Sequence, residues 1–177
     1  SEYGPKDEGC IFATSGTTDM PKCVVWDQLG LWLCGLSTIN FTGMTADDRL
    51  LEYRTFSWLS PQIVTFMPFV SLGLTIVIAK SFSRRRFMGW VQDHQITIAA
   101  GVPTVINILL DEPVEFHRDE ISSLRLMTAS SAPLAPERWR QFEALYGIRL
   151  LQFYGASEGG WLCGNRHDKY RVGTAGP

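Results

Sequence analysis

The run Thr14-Ser15-Gly16-Thr17-Thr18-Asp19-Met20-Pro21-Lys22 gathers four hydroxyls, one glycine and a lysine. Backbone N–H groups in such a loop, together with its hydroxyls, can surround phosphate oxygens, and a lysine ammonium adds a point charge. The run is not the Gly-x-x-x-x-Gly-Lys-Ser/Thr loop of nucleotidases, because it has one glycine and Cys23 follows the lysine. A Ser/Thr-rich turn with a solvated lysine explains the same composition. Far along the chain, Phe153-Tyr154-Gly155-Ala156-Ser157-Glu158 offers an aromatic plate, a glycine for close backbone approach, a hydroxyl and a carboxylate. Mg²⁺ takes one or two carboxylates and fills its shell with phosphate oxygens and water, and Glu158 suits that role. Between the two lies Ala129-Ser130-Ser131-Ala132-Pro133-Leu134. That segment reads as a loop entering a helix, with Ser131 a nearby capping group.

These segments need elements to hold them. Residues 10–14 read as a strand entering a turn. Leu29, Trp32, Leu33, Leu36 and Ile39 have helical spacing and one buried face. Strands are expected at 49–53, 74–79, 96–100, 124–127 and 149–153, and helices at 61–70, 87–94, 103–110 and 136–146. The β-branched run 74–79 suits a strand buried on both faces. Pro103 and Pro136 open helices and Gly147 closes one. The alternation predicts an α/β fold, a mainly parallel sheet with helices on both faces. In such sheets ligands bind at the carboxyl ends of the strands, which puts polar loops after different strands in equivalent positions.

The chain has 177 residues, 45% hydrophobic and 19% charged, enough apolar mass for one core. A net charge of −2 gives no general attraction to nucleic acid or anionic membrane. The apolar stretch 63–79 is broken by Pro68, Ser71 and Gly73, so no membrane span is expected. Cys10, Cys23, Cys34 and Cys163 lack metal-ligand spacing and read as reduced thiols of a cytoplasmic protein. His94, His117 and His167 are scattered and read as surface residues. Both ends read as cut: the first residue is Ser, and 172–177 reads as the start of a following segment.

Ser15-Gly16-Thr17-Thr18-x-x-Pro21-Lys22 resembles the signature loop of the adenylate-forming superfamily: acyl-CoA synthetases, peptide synthetase adenylation domains and luciferases. Tyr154-Gly155-x-Ser157-Glu158 is similar to that family's Tyr-Gly-x-Thr-Glu motif. Ser130-Ser131-Ala132-Pro133-Leu134 is similar to its Gly-Gly-Ala-Pro-Leu segment. The order of segments around Ile96-Thr97 and Val102-Pro103-Thr104 resembles the acyl-CoA synthetase branch. This chain departs from the family pattern at Asp19 and Cys23, where glycine is usual, and at both serines of 130–131. Asp19 sets a carboxylate near the expected triphosphate, where like charges repel.

The resemblance implies one α/β subdomain over 1–177, a fragment of a larger AMP-binding domain. It implies ATP and AMP as nucleotides, Mg²⁺, a small carboxylic acid and coenzyme A as co-substrate. Lys22, Glu158 and Thr17 take the catalytic roles, with Glu158 as metal ligand. Thr14, Ser15, Gly16, Thr18, Ser131, Ala132, Pro133, Tyr154, Gly155 and Ser157 bind the nucleotide. The acyl side would be lined by Phe56, Ser57, Trp58, Val102, Pro103 and 155–161. The family's Phe-His pair is Phe56-Ser57 here, and the aspartate that holds an amino group is absent, which disfavours an α-amino acid. Arg84, Arg85 and Arg86 read as the wet face of a helix, or as an approach path for coenzyme A phosphates.

Full-length relatives also carry a preceding lobe, a ribose-holding aspartate and a C-terminal domain with a catalytic lysine. None is found in this sequence, so turnover by this chain alone is expected to be weak or absent. Cut edges would expose apolar surface and could drive homo-oligomers. Two other readings stay open. One is a non-catalytic interaction module or decayed nucleotide site. The other is an unrelated α/β phosphate-binding protein, favoured if the Ser15 and Glu158 loops lie at opposite ends of the sheet.

Overall fold

Adjacent residues on each central strand face opposite ways, and here both faces are apolar. Leu51, Ala99, Met127 and Leu150 point into one core, while Leu50, Ile98, Leu126 and Leu151 point into a second. A sheet buried on both faces needs helices on both, which right-handed crossovers between parallel strands supply. The computed structural model, which describes residues 3–14 and 21–176, has that architecture. Strands β3 (Arg49–Glu52), β4 (Thr75–Ile78), β5 (Ile98–Ala99), β6 (Leu126–Ala129), β7 (Arg149–Ala156) and β8 (Gly160–Gly164) form a six-stranded sheet in the order β4-β3-β5-β6-β7-β8. All pairs are parallel except β7 with β8.

Helices α4 (Arg84–His94), α5 (Pro103–Asp111) and α6 (Pro136–Tyr146) cover the first face through Phe87, Val91, Ile106, Leu109, Trp139 and Phe142. Pro103 and Pro136 stand in the first turns, where a missing N–H costs nothing, and Gly147 closes α6 at φ 71°. The second face is covered by α1 (Gln28–Thr42), whose partly buried Ile39 and Phe41 pack on that core. It is covered also by a helical run made of α2 (Leu59–Pro61), a π-helical segment Gln62–Phe66 and α3 (Met67–Leu72). The π-turn has an identifiable cause. Pro68 has no N–H to give residue 64, and Met67 N–H reaches back to Gln62 O instead. Ile63 O, left without its helical donor, accepts from Thr38 Oγ1 of α1 at 2.8 Å.

Before these elements comes a separate antiparallel hairpin of β1 (Glu8–Thr14) and β2 (Lys22–Asp27). It packs through Phe12 and Trp26 on Leu31, Leu59, Ile63 and Val64. Asp27 then caps α1, accepting from Gly30 N–H at 2.6 Å.

Several expectations are corrected. The strand Lys22–Asp27 is not among the expected elements; it pairs antiparallel with Glu8–Thr14 in a two-stranded sheet separate from the large one. Strand β4 is an edge strand with Ile78 65% exposed, so it is not buried on both faces; continuous apolar character cannot separate an edge from a centre. The buried stripe of α1 is Leu31, Gly35, Thr38 and Thr42, while Trp32 and Leu33 are exposed. The reason is close approach: a Cβ on Gly35 would lie 2.3 Å from Met67 Cβ, and the buried threonine hydroxyls are satisfied, Thr38 donating to Ile63 O and Thr42 to Thr38 O. His167 is half-buried rather than at the surface, with its backbone N–H bonded to Phe41 O at 2.7 Å. Among the described residues no helix is long and apolar enough to cross a membrane.

Candidate nucleotide site

Parallel strands end together, so the sheet order lines up the loops that follow β3, β5, β6 and β7 along one edge. Those loops hold residues 53–58, 100–102, 130–135 and 157–159. Two side chains then tie the candidate segments to one another. Gln152 of β7 donates through Nε2 to Ala132 O at 3.2 Å, joining the segment after β6 to the base of the Tyr154 motif. Trp26 of β2 donates through Nε1 to Ser157 O at 2.8 Å, joining the hairpin of Thr14 and Lys22 to the loop of Ser157 and Glu158. Neither Trp26 nor Gln152 was singled out from sequence. The Val24-Val25-Trp26 run after Lys22 was the available sign of a second strand.

Strand β7 runs on to Ala156, beyond the expected end at Phe153, so Tyr154 and Gly155 are strand residues rather than loop residues. Alternation buries Phe153 and leaves Tyr154 57% exposed, a ring free for stacking. Gly155 sits where the β7–β8 register shifts, and a Cβ there would lie 2.3 Å from Gly160 O. Glu158 is exposed, and its carboxylate has no hydrogen bond or ion pair among the described residues. A single free carboxylate fits Mg²⁺, which draws its other ligands from phosphate and water. Among the described residues no cluster of His, Cys, Asp or Glu is arranged to hold a metal by itself.

Lys22 is exposed at the start of β2, paired in register with Thr14. Thr14 spends its hydroxyl proton on Lys22 O at 3.3 Å across the hairpin. Ser15, Gly16, Thr17 and Thr18, with Asp19, lie outside the described residues. Ser131 has φ 75°, the left-handed region that favours glycine, and it does not cap α6, whose N-cap residue is Ala135 with no side-chain cap bond. Ser130 is buried and its hydroxyl has no partner among the described residues.

A model of the AMP-binding enzyme family matches residues 2–177. The chain belongs to that family. Indoleacetate–CoA ligase of Aromatoleum aromaticum is 28% identical over 157 residues, 89% of this chain and 30% of that protein. Sulfoacetate–CoA ligase of Cupriavidus necator is 30% identical over 154 residues, 87% of this chain and 30% of that protein. ATP-bound MatB from Rhodopseudomonas palustris superposes with a TM-score of 0.90 at 25% identity, covering 100% of this chain and 35% of that one. This AMP-binding chain therefore spans about a third of the length of these relatives.

Of the expected acyl-side residues, 56–58 and 102–103 lie in or next to those loops, whereas Trp161 packs inward from β8 and donates through Nε1 to Thr38 of α1. Trp58, the residue before α2, is 65% exposed, Phe56 is half-buried, and Phe56 O accepts from Gln62 Nε2 at 2.6 Å. Pro103 is buried at the start of α5. Two cavities, of about 270 and 420 Å³, lie elsewhere, one between β4 and α4 and one around Arg125 and Arg149; the loop residues line neither. Of the three arginines, Arg84 pairs with Glu112 at 3.1 Å and Arg86 lies over the Trp90 ring.

All four cysteines are free. Cys34 of α1 sits beneath the Glu158 loop: burial pushes its thiol up, opposed by a hydrogen bond from the Trp161 backbone. Cys23 and Cys163 are exposed. In the native chain at pH 8 a disulfide reagent should label Cys23 and Cys163 first, with Cys34 slower by about two orders of magnitude. Mass spectrometry of the labelled peptides checks this. Equal rates would mean that the loop is not seated on α1.

Proposed function

We propose that this chain carries the nucleotide-binding part of an enzyme that activates a small carboxylic acid with ATP and passes the acyl group to a thiol, that of coenzyme A. The single observation that carries the reading is the pair of hydrogen bonds, Trp26 to Ser157 and Gln152 to Ala132. They tie strand β2, which follows the lysine loop, to the Ser157–Glu158 loop, and the base of the Tyr154 motif to the segment after β6, which supports the reading. The CoA ligases among its relatives support the thiol acceptor.

In this reading Lys22, with the hydroxyls of Ser15, Thr17 and Thr18, faces the phosphate chain. The Tyr154 ring and the backbone of Ser131, Ala132 and Pro133 hold adenine, while Gly155 lets β8 close against β7 beside them. Ser157 and Glu158 face the phosphates, and Mg²⁺ held by Glu158 would offset their charge. The acid's carboxylate oxygen forms a bond to the α-phosphorus as the bond to the β-phosphate bridge breaks, releasing pyrophosphate. The thiol then gives up its proton to solvent and its sulfur bonds to the acyl carbon as the acyl carbon–phosphate oxygen bond breaks, and AMP leaves. The protein's part is to align these groups and to stabilise developing charge.

Calorimetric titration of this chain with MgATP tests the reading. Binding is expected, with affinity falling at least about ten-fold in both Lys22→Ala and Glu158→Ala, as when a charge-assisted contact is lost. No binding, or binding indifferent to both substitutions, would overturn it.

A further inference from the structure

Strand β2 carries Lys22, Val24 and Trp26 on one face, because side chains of a strand alternate. The face from which Lys22 projects is thus the face from which Trp26 binds the Glu158 loop. Lys22 and Trp26 are about 13 Å apart along extended strand. The loop has few other ties. Gly159 N–H closes a turn on Ala156 O at 3.2 Å, within the loop itself. Beneath it lie the Trp26 indole and Cys34 of α1. A Cβ on Gly160 would stand 2.9 Å from the Trp26 ring and 2.4 Å from Cys34 Sγ. Gly160, at φ 64°, lets the loop settle onto both. On its other side the Trp26 ring rests against Gly30, where a Cβ would lie 3.1 Å away, so the indole is wedged between the start of α1 and the loop.

We propose that Trp26 is a positioning residue for this site, one that docks the Glu158 loop on the Lys22 side of the hairpin. It sets the spacing between the ammonium and the carboxylate. The indole N–H, rather than the ring's bulk, carries the role: one directional bond to Ser157 O fixes the loop's height over the strand. Neither charged group bonds to the other among the described residues, so their separation depends on the elements beneath them. The inference deepens the function proposed above and rests on it.

The test uses Trp26→Phe, which keeps an aromatic ring and removes the donor. A second variant places benzothienylalanine at position 26, a near-isosteric ring with sulfur in place of N–H. In both, amide hydrogen exchange across residues 156–160 should speed up about ten-fold, while the amides of α1 and of β5 to β7 keep wild-type protection. MgATP affinity should fall about ten-fold, the loss of one partly buried hydrogen bond. ATP affinity in EDTA should change much less, because the loss acts through Glu158. In a Glu158→Ala background Trp26→Phe should add nothing further.

Unchanged exchange in residues 156–160 in both variants would overturn the proposal, as would equal losses with and without Mg²⁺. Failure of the function reads differently: a wild-type chain that takes no MgATP sinks the nucleotide reading, and the exchange result alone then decides whether Trp26 positions the loop.

Discussion

Arg54→Met should destabilise the chain by about 3–5 kcal/mol at pH 7, the cost of leaving a buried charge without its partner. Glu52, the last residue of β3, is fully buried. Its Oε1 accepts from the N–H groups of Tyr53 and Arg54 and from Arg54 Nε, and its Oε2 from Arg54 Nη2 at 2.7 Å and Thr65 Oγ1 at 2.6 Å. Arg54 is itself largely buried and reaches Ser60 Oγ with its remaining nitrogen at 2.8 Å. The pair fastens the loop after β3 to the helical run beneath it. Chemical denaturation monitored by circular dichroism gives the loss.

The pH dependence gives the sign. Burial pushes the Glu52 carboxyl up, but the Arg54 guanidinium and the Thr65 hydroxyl outweigh it and hold the group below its usual value. A depressed folded value means that its stabilisation is complete above the unfolded value, about 4.3, and is lost as pH falls below it. Without Arg54, burial dominates and the folded value rises above the unfolded one. The variant's deficit should therefore shrink as pH falls from 8 towards 5, where the wild type shows no such gain. A further Glu52→Gln change in the Arg54→Met chain should recover much of the stability at pH 7, since no charge is then buried. A deficit independent of pH and unrelieved by Glu52→Gln would mean that Arg54 acts by packing alone.

Periodicity located the elements better than it located their surroundings. The β-branched run around Ile76-Val77-Ile78 does form a strand, yet its place at the sheet edge depends on pairing partners distant in sequence. The helix from Gln28 to Thr42 was legible, but not its buried side. Apolar spacing pointed to Trp32 and Leu33, whereas contact with Met67 requires Gly35, a residue with no hydropathy signal. Thr38 is buried for its hydrogen bonds: it accepts from Trp161 Nε1 and donates to the carbonyl freed by the π-turn. A polar residue satisfied by partners far along the chain reads as solvent-facing in a window of neighbours.

The candidate site divides in the same way. Glu158 and Tyr154 stood out for the chemistry their residue types offer, and the 130–133 segment through its resemblance to a family segment. Trp26 and Gln152, which bring the pieces together, act through single bonds to backbone oxygens, and any donor of suitable length would look alike in sequence. Ser131 shows a third kind of gap. Its left-handed backbone is what a glycine would adopt freely, so the position retains a glycine's geometry with a serine's side chain.

Gly155→Ala should cost about 2–3 kcal/mol in stability and abolish MgATP binding, though it adds only one methyl group. The position has an ordinary backbone conformation, so the cost comes from space rather than strain. The new Cβ would stand 2.3 Å from Gly160 O and 2.9 Å from the Trp161 ring. The backbone oxygen cannot swing aside as a side-chain tip would, so β8 must move away from β7 where the register already shifts. Residues 157–159 hang between those strands, and displacement of Gly160 pulls the loop off Trp26 and Cys34. Gly159→Ala is the matched control, because its nearest neighbour is Leu162 Cδ2 at an ordinary 3.5 Å; it should melt within a degree or two of wild type and bind MgATP normally. The pair separates crowding between the strands from a general intolerance of the loop. Equal behaviour of the two variants, whether both tolerated or both lost, would contradict the packing that seats Glu158 over the hairpin.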